Sequence, residues 1–161
     1  MDIFGWLTAE QWFALLRIAL GLWWLESVRH KNLRRFIEHD MIAFAVKMAD
    51  NHRFPAYGRL VKGFLTANAS WLPYLIVGAE TAVGLGLTLG LLTPLAALGS
   101  IALTFNYLLL AGLPPADTSV YPAYEVEQGQ LLMMLAIGIA TFFMGSGCTW
   151  GLDAGLSFLC R

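Results

Sequence analysis

Two apolar runs on either side of a proline, residues 72–92 and 95–113, constrain this chain more than any other feature. They hold 21 and 19 residues, close to the ~20 that an α-helix needs to cross the hydrocarbon core of a bilayer. Pro94 lacks an amide hydrogen and biases Thr93 away from helical geometry, so the spacing predicts a turn between two crossings. One carboxylate, Glu80, lies in the first run. At 1.5 Å per residue it sits about 12 Å in from Leu72, a depth at which an ionisable group is costly and marks a candidate functional position.

The rest of the composition agrees with a membrane solvent. Apolar residues make up 58% of the 161 residues and charged ones 13%, against roughly 25% charged in soluble domains; mean hydropathy is +0.63. A net charge of -1 offers no positive field for a phosphate backbone, which argues against a nucleic-acid partner. Cys148 and Cys160 stand twelve positions apart, outside Cys-x-x-Cys and zinc spacings, and read either as thiols or as one local bridge. With no basic residue before the first apolar run and no small-residue cleavage site after it, the N-terminal helix is expected to be retained.

Taken in order, Thr8 and Gln11 have the spacing of a capping box, and a first crossing is expected over about 9–28. Between 30 and 70 the pattern changes. Eight of the ten Lys and Arg residues fall from Arg29 to Lys62, while Leu33, Phe36, Ile37, Met41, Phe44, Ala45 and Met48 recur at helical spacing. A second amphipathic helix is expected from Pro55, a favoured first-turn residue. Both read as interfacial helices, and Trp71 as an aromatic belt residue at re-entry. Ala82, Gly86 and Gly90, then Ala136 and Ala140, have small-residue spacing for close helix approach. A fourth crossing is expected over 129–145, and Asp153 is expected to open a short turn over 153–160. The fold class is therefore all-α: an integral membrane four-helix bundle in one domain, with an amphipathic insertion between the first and second spans. An excess of basic residues on the insertion side predicts a multi-pass protein of the cell membrane with both termini outside the cytoplasm.

Two constellations are candidates for chemistry. In an up-down bundle Arg17, Glu80 and Asn106 fall within ~4 to 5 Å of one another in depth. They form either a polar intramembrane pocket for a quinone headgroup or protons, or a buried ion pair that sets helix register. Glu26, Arg29 and His30 share one helical face at the membrane boundary, either as a proton-exchange cluster or as a solvated salt-bridge group. His39 and His52 read as surface histidines of the insertion, no metal site is expected, and no crossing contains a histidine to hold a haem. Met133 and Met134 read as core.

The run from HRFPAYGRLVKGFLTANAS through LIVGAETAVGLGLTLGLLTPLAALGSIALTFNYLLLAG resembles the DoxX and DoxD family of small four-helix membrane proteins. The end of the first helix, LRIALGLWWLESVRHK, and the segment GSGCTWGLDA extend the resemblance over nearly the whole chain. Its most specific part is Glu80, Gly84, Gly90, Leu91 and Thr93; Pro94 stands where family members often carry a basic residue. The family includes a small subunit of thiosulfate:quinone oxidoreductase. The resemblance thus implies a membrane subunit of a quinone-linked electron-transfer assembly, with no covalent cofactor, surrounded by membrane lipids and joined to other subunits. The alternative is a noncatalytic accessory subunit of a larger respiratory or photosynthetic complex. Related membrane enzymes that reduce quinones with thiols use a Cys-x-x-Cys, which this chain lacks.

Overall fold

The computed structural model describes residues 7–156, and these form helices and turns with no strand. The first helix, α1 (Ala9–His30), opens on the expected capping box: Gln11 N–H donates to the Thr8 hydroxyl at 3.3 Å, and the Thr8 N–H donates to the Gln11 side chain at 2.8 Å. The insertion follows as α2 (Leu33–Arg35), a π-helical stretch (Phe36–Asp40), α3 (Met41–Asp50) and α4 (Pro55–Ala67). Three helices then complete the chain, α5 (Leu72–Leu89), α6 (Thr93–Leu110) and α7 (Tyr124–Met144), before two short 3-10 turns. These last three are each long and apolar enough to cross a membrane. α1 has the length, but Glu10, Arg17, Glu26 and Arg29 lower its hydropathy.

The four long helices pack in a ring, α1 against α5 and α7, and α6 against α5 and α7. Leu20, Trp24, Val83, Leu87, Ala97, Leu131 and Met134 form the buried centre. A smaller cluster around Ala45, Leu65 and Leu72 fixes the insertion to the bundle. Polarity is distributed inside out. Arg17, Glu80, Thr93, Ser100, Thr104 and Thr141 are buried, while Leu75, Leu95, Phe105, Met133 and Phe143 are exposed. On α6 the inward positions Thr93, Ala97, Ser100, Thr104 and Tyr107 follow one another at helical offsets, and the Trp24 indole donates to Ser100 Oγ at 2.9 Å. Such a surface is stable in hydrocarbon, where polar groups must find partners inside.

Several boundaries differ from the sequence expectation, for identifiable reasons. The break between α5 and α6 falls at residues 90–92 and not at Pro94, which sits in the first turn of α6, where its missing N–H is not needed. Gly90 terminates α5 in the left-handed region at φ 63°, so it is a cap, and what packs closely on it is the Arg17 guanidinium and the Gly151 backbone, not the flank of a neighbouring helix. α1 extends to His30, and α7 starts at Tyr124 and so carries Glu125 and Glu127 in its first turn. The expected C-terminal turn begins at Leu152, and its portion beyond 156, with Cys160, lies outside the described residues. Close approach is used between α1 and α5, where a Cβ on Gly21 would come within 2.5 Å of the Thr88 backbone nitrogen.

Candidate functional site

Arg17, Glu80 and Asn106 occupy three different environments. Arg17 is 0% exposed, yet its partners lie at the α5–α6 corner and in the C-terminal segment. Nη1 donates to Leu87 O at 2.7 Å, and Nη2 donates to Trp150 O at 3.2 Å and Thr149 O at 3.4 Å. The Leu87 carbonyl belongs to the last turn of α5, whose acceptors lack intrahelical donors. Asp153 completes this end of the molecule. Its two carboxylate oxygens accept from the Leu92 and Thr93 amides at 2.7 and 2.8 Å, while its own N–H donates to Gly90 O at 2.8 Å. It therefore caps α6 across space, at the positive end of that helix, as well as standing in its own short turn. Asn106 faces outward and donates to Ala102 O one turn back, at 2.7 Å.

Glu80, only 1% exposed, lies two helical turns away from Leu87 on α5, about 10 Å along the axis. Its partners are Tyr107 and Lys31. Tyr107 Oη donates to Oε1 at 2.7 Å, and the Lys31 ammonium, itself 20% exposed, pairs with Oε2. Lys31 lies just beyond the end of α1 and also sits over the Phe36 ring at 4.7 Å. Phe36 opens the π-helical stretch, a distortion frequent at functional sites. Both oxygens of Glu80 thus accept hydrogen bonds from side chains of two other segments, and Tyr107 packs beside Trp24 at 6.2 Å between rings.

This trio faces a cavity of about 230 Å³ walled by Trp23, Phe36, Phe44, Ile76 and Leu131, with Ser27, Lys31, Glu80, Tyr107 and Glu127 as its polar residues. Trp23 and Phe44 are partly exposed at its edge. Glu127 is held by Tyr121, whose Oη donates to it at 3.2 Å. Burial first, and the neighbouring Glu127 charge second, push the Tyr121 phenol up to about 12. A second cavity of about 280 Å³ lies beyond Tyr107, between α4 and the α5–α6 pair.

Glu26, Arg29 and His30 do come together on one exposed face. The Arg29 guanidinium grips the Glu26 carboxylate with Nε at 2.6 Å, and His30 Nδ1 lies 3.1 Å from Glu26 O. His39 is exposed, but His52 is buried, which corrects its reading as a surface residue. The Phe54 N–H donates to its Nδ1 at 3.0 Å, so Nε2 carries the proton and donates to Leu109 O at 2.8 Å. It clamps the insertion to the end of α6. Among the described residues no group of three His, Cys, Asp or Glu could hold a metal.

Tyr107 and Lys31 were not singled out by sequence reasoning. Tyr107 was readable from phase: Thr93, Ser100, Thr104 and Tyr107 share a face of α6, whereas Asn106 points about 100° away. Lys31 carried no such signal, because its role depends on a side chain reaching 49 positions along the chain. Comparison with family models, curated proteins and solved structures finds no match for this chain.

Proposed function

We propose that this protein is a four-span membrane subunit that binds a quinone headgroup at Glu80, Tyr107 and Lys31, as part of a quinone-linked electron-transfer assembly of the DoxX and DoxD type. The observation that carries this reading is a buried carboxylate, held by a phenol and an ammonium, beside an aromatic-walled cavity. Ligand pockets commonly run from ~300 to 1,000 Å³, so about 230 Å³ suits one substituted ring and not a whole amphiphile. The Lys31 ammonium has three N–H groups; Glu80 takes one and the Phe36 face attracts the cation, which leaves a donor for a quinone carbonyl oxygen. Conversion of a quinone to its quinol takes up two electrons and two protons. The electrons come from a partner electron-transfer protein; Lys31, held in place by Glu80 and reprotonated from solvent, passes one proton to the carbonyl oxygen that it faces, and the other quinone oxygen takes its proton from water at the open edge of the cavity beside Trp23 and Phe44.

The fourth span is α1. Its costly charge, Arg17, is buried against backbone carbonyls, while Leu15, Leu16, Leu22 and Trp23 face outward, so the helix presents an apolar surface to lipid. The insertion, with Arg59 and Lys62 beside exposed Leu60 and Phe64, lies at the cytoplasmic headgroups. Cys148 is disulfide-bonded, which fits an oxidising compartment and supports the reading with the C-terminal end outside the cytoplasm.

A noncatalytic accessory role is supported by a different feature. The outer face of the α5–α6 hairpin carries an apolar groove of about 510 Å³ floored by Ala79, Ala82, Gly86, Ala96 and Gly99, small residues of the kind that admit a neighbouring helix. Purification from the native membrane, identification of co-purifying subunits and assay of thiosulfate-dependent quinone reduction separate the two. Activity abolished by Glu80→Gln in an intact assembly supports the quinone site. A stoichiometric complex in both preparations without that activity, and without quinone quenching of tryptophan fluorescence, leaves the accessory role.

A further inference from the structure

The two cavities flanking Tyr107 share five walls: Met41, Ala45, Ile76, Tyr107 and Leu110 line both. The first holds all the charge. In the second, behind those walls, the remaining lining is Tyr57, Val61, Phe64, Leu65, Leu72, Leu103 and Asn106, with no charged group. We infer that the second cavity seats the apolar tail of the same molecule whose headgroup lies against Lys31 and Glu80, so that the ligand is a quinone with a long hydrocarbon or polyprenyl tail. This inference rests on the quinone reading of the first cavity.

Size and shared walls lead to it. The headgroup cavity is too small for an entire amphiphile, whereas the two together reach the ordinary size of a ligand pocket. Met41 is an unbranched, adaptable thioether, and Ala45 is small. A tail turning past these residues leaves between α4 and α6 beside Phe64, which is 54% exposed, toward the level of the lipid headgroups where α4 lies. Because lipid chains are as apolar as this cavity, little hydrophobic drive distinguishes the tail's two environments. The tail's contribution is placement: α4 orients the molecule so that its ring points at Lys31. The amphipathic insertion, not the transmembrane ring alone, then completes the site.

The test uses the full chain in lipid nanodiscs with three probes: a tailless dimethoxy-methyl-benzoquinone, the same head on a decyl tail bearing a diazirine, and a phosphatidylcholine with a diazirine in one acyl chain. Tailless quinone is expected to quench the fluorescence of Trp23, and the decyl quinone to crosslink, on illumination, to Val61, Leu65 or Leu103. Excess unlabelled decyl quinone is expected to reduce that crosslinking at least tenfold. Quenching by the tailless probe with crosslinks confined to outward residues such as Leu75, Leu85 or Phe105 overturns the tail inference and leaves the headgroup site standing. Equal labelling of Val61 and Leu65 by the phospholipid probe, unaffected by quinone, also overturns it and makes the cavity a lipid seat. Absence of both quenching and crosslinking overturns the headgroup reading as well.

Discussion

Two buried charges are satisfied about two helical turns apart in the same bundle, Arg17 toward the α5–α6 corner and Glu80 toward the insertion, and the way each is satisfied separates structure from chemistry. Around Arg17 the acceptors are backbone carbonyls, and Asp153 spends its two oxygens on the amides that start α6. That end is a lock: every partner is a helix terminus or loop that needs a donor or acceptor for its own sake. Around Glu80 the partners are side chains, one of them reaching solvent, and a cavity adjoins them. Side-chain partners can exchange a ligand for one another without unravelling a helix. Of two groups equally expensive to bury, only the one beside space and mobile donors is suited to a reaction.

The contrast can be broken most severely at the lock. Arg17→Ala leaves the Leu87, Thr149 and Trp150 carbonyls without their donor and Asp153 without its neighbouring cation, a loss expected to cost about 3 to 5 kcal/mol. A fall in thermal stability in detergent large enough to reduce yield checks this, and a near-neutral result makes the lock dispensable. Gly90→Ala tests the same end more gently. Its positive φ of 63° costs a side chain about 1 to 2 kcal/mol, and the added Cβ would run into the Arg17 guanidinium, so the melting temperature is expected to fall by several degrees, less than for Arg17→Ala.

At the other end the order inverts. Glu80→Gln keeps the shape and lets Lys31 turn toward solvent, so the stability change is expected to stay within about 1 kcal/mol, while quinone binding, read by tryptophan quenching, falls at least tenfold. Tyr107→Phe is expected to act in the same direction more weakly. If either variant unfolds as readily as Arg17→Ala, the two ends are both structural and the comparison fails.

The smallest effect concerns Tyr121, which packs on Phe44 and donates to Glu127, two residues that line the cavity. Its folded-state pKa is raised to about 12 from the ordinary ~10, so the stabilisation is present below pH ~10 and is lost as pH rises through about 12. The difference between the tyrosinate absorbance titrations of the parent chain and Tyr121→Phe is expected to show a phenol ionising late. In Glu127→Gln its midpoint moves down only part of the way, because burial is the larger cause.

The legibility of the two ends differed for a physical reason. Glu80 and Arg17 announce themselves as ionisable groups in apolar runs, and the capping box at Thr8 and Gln11 is local enough to be read directly. The partners are not local. Arg17 meets carbonyls 132 and 133 positions away, and every residue type has a carbonyl, so no pattern marks which will be used. Pairing Glu80 with Asn106 compared depth along the helices while neglecting rotation about them. One residue further, 100° round α6, Tyr107 carries the contact. His52 misled because a basic, amphipathic neighbourhood hides a polar side chain turned inward against Leu109.

By itself the sequence determined the long helices, their apolar character and the positions where burial would be costly, because hydrophobic period and length are properties of a segment alone. Which buried charge closes a lock and which faces a cavity was decided only by tertiary structure, because it depends on the rotation of packed helices and the reach of a lysine from beyond the end of α1.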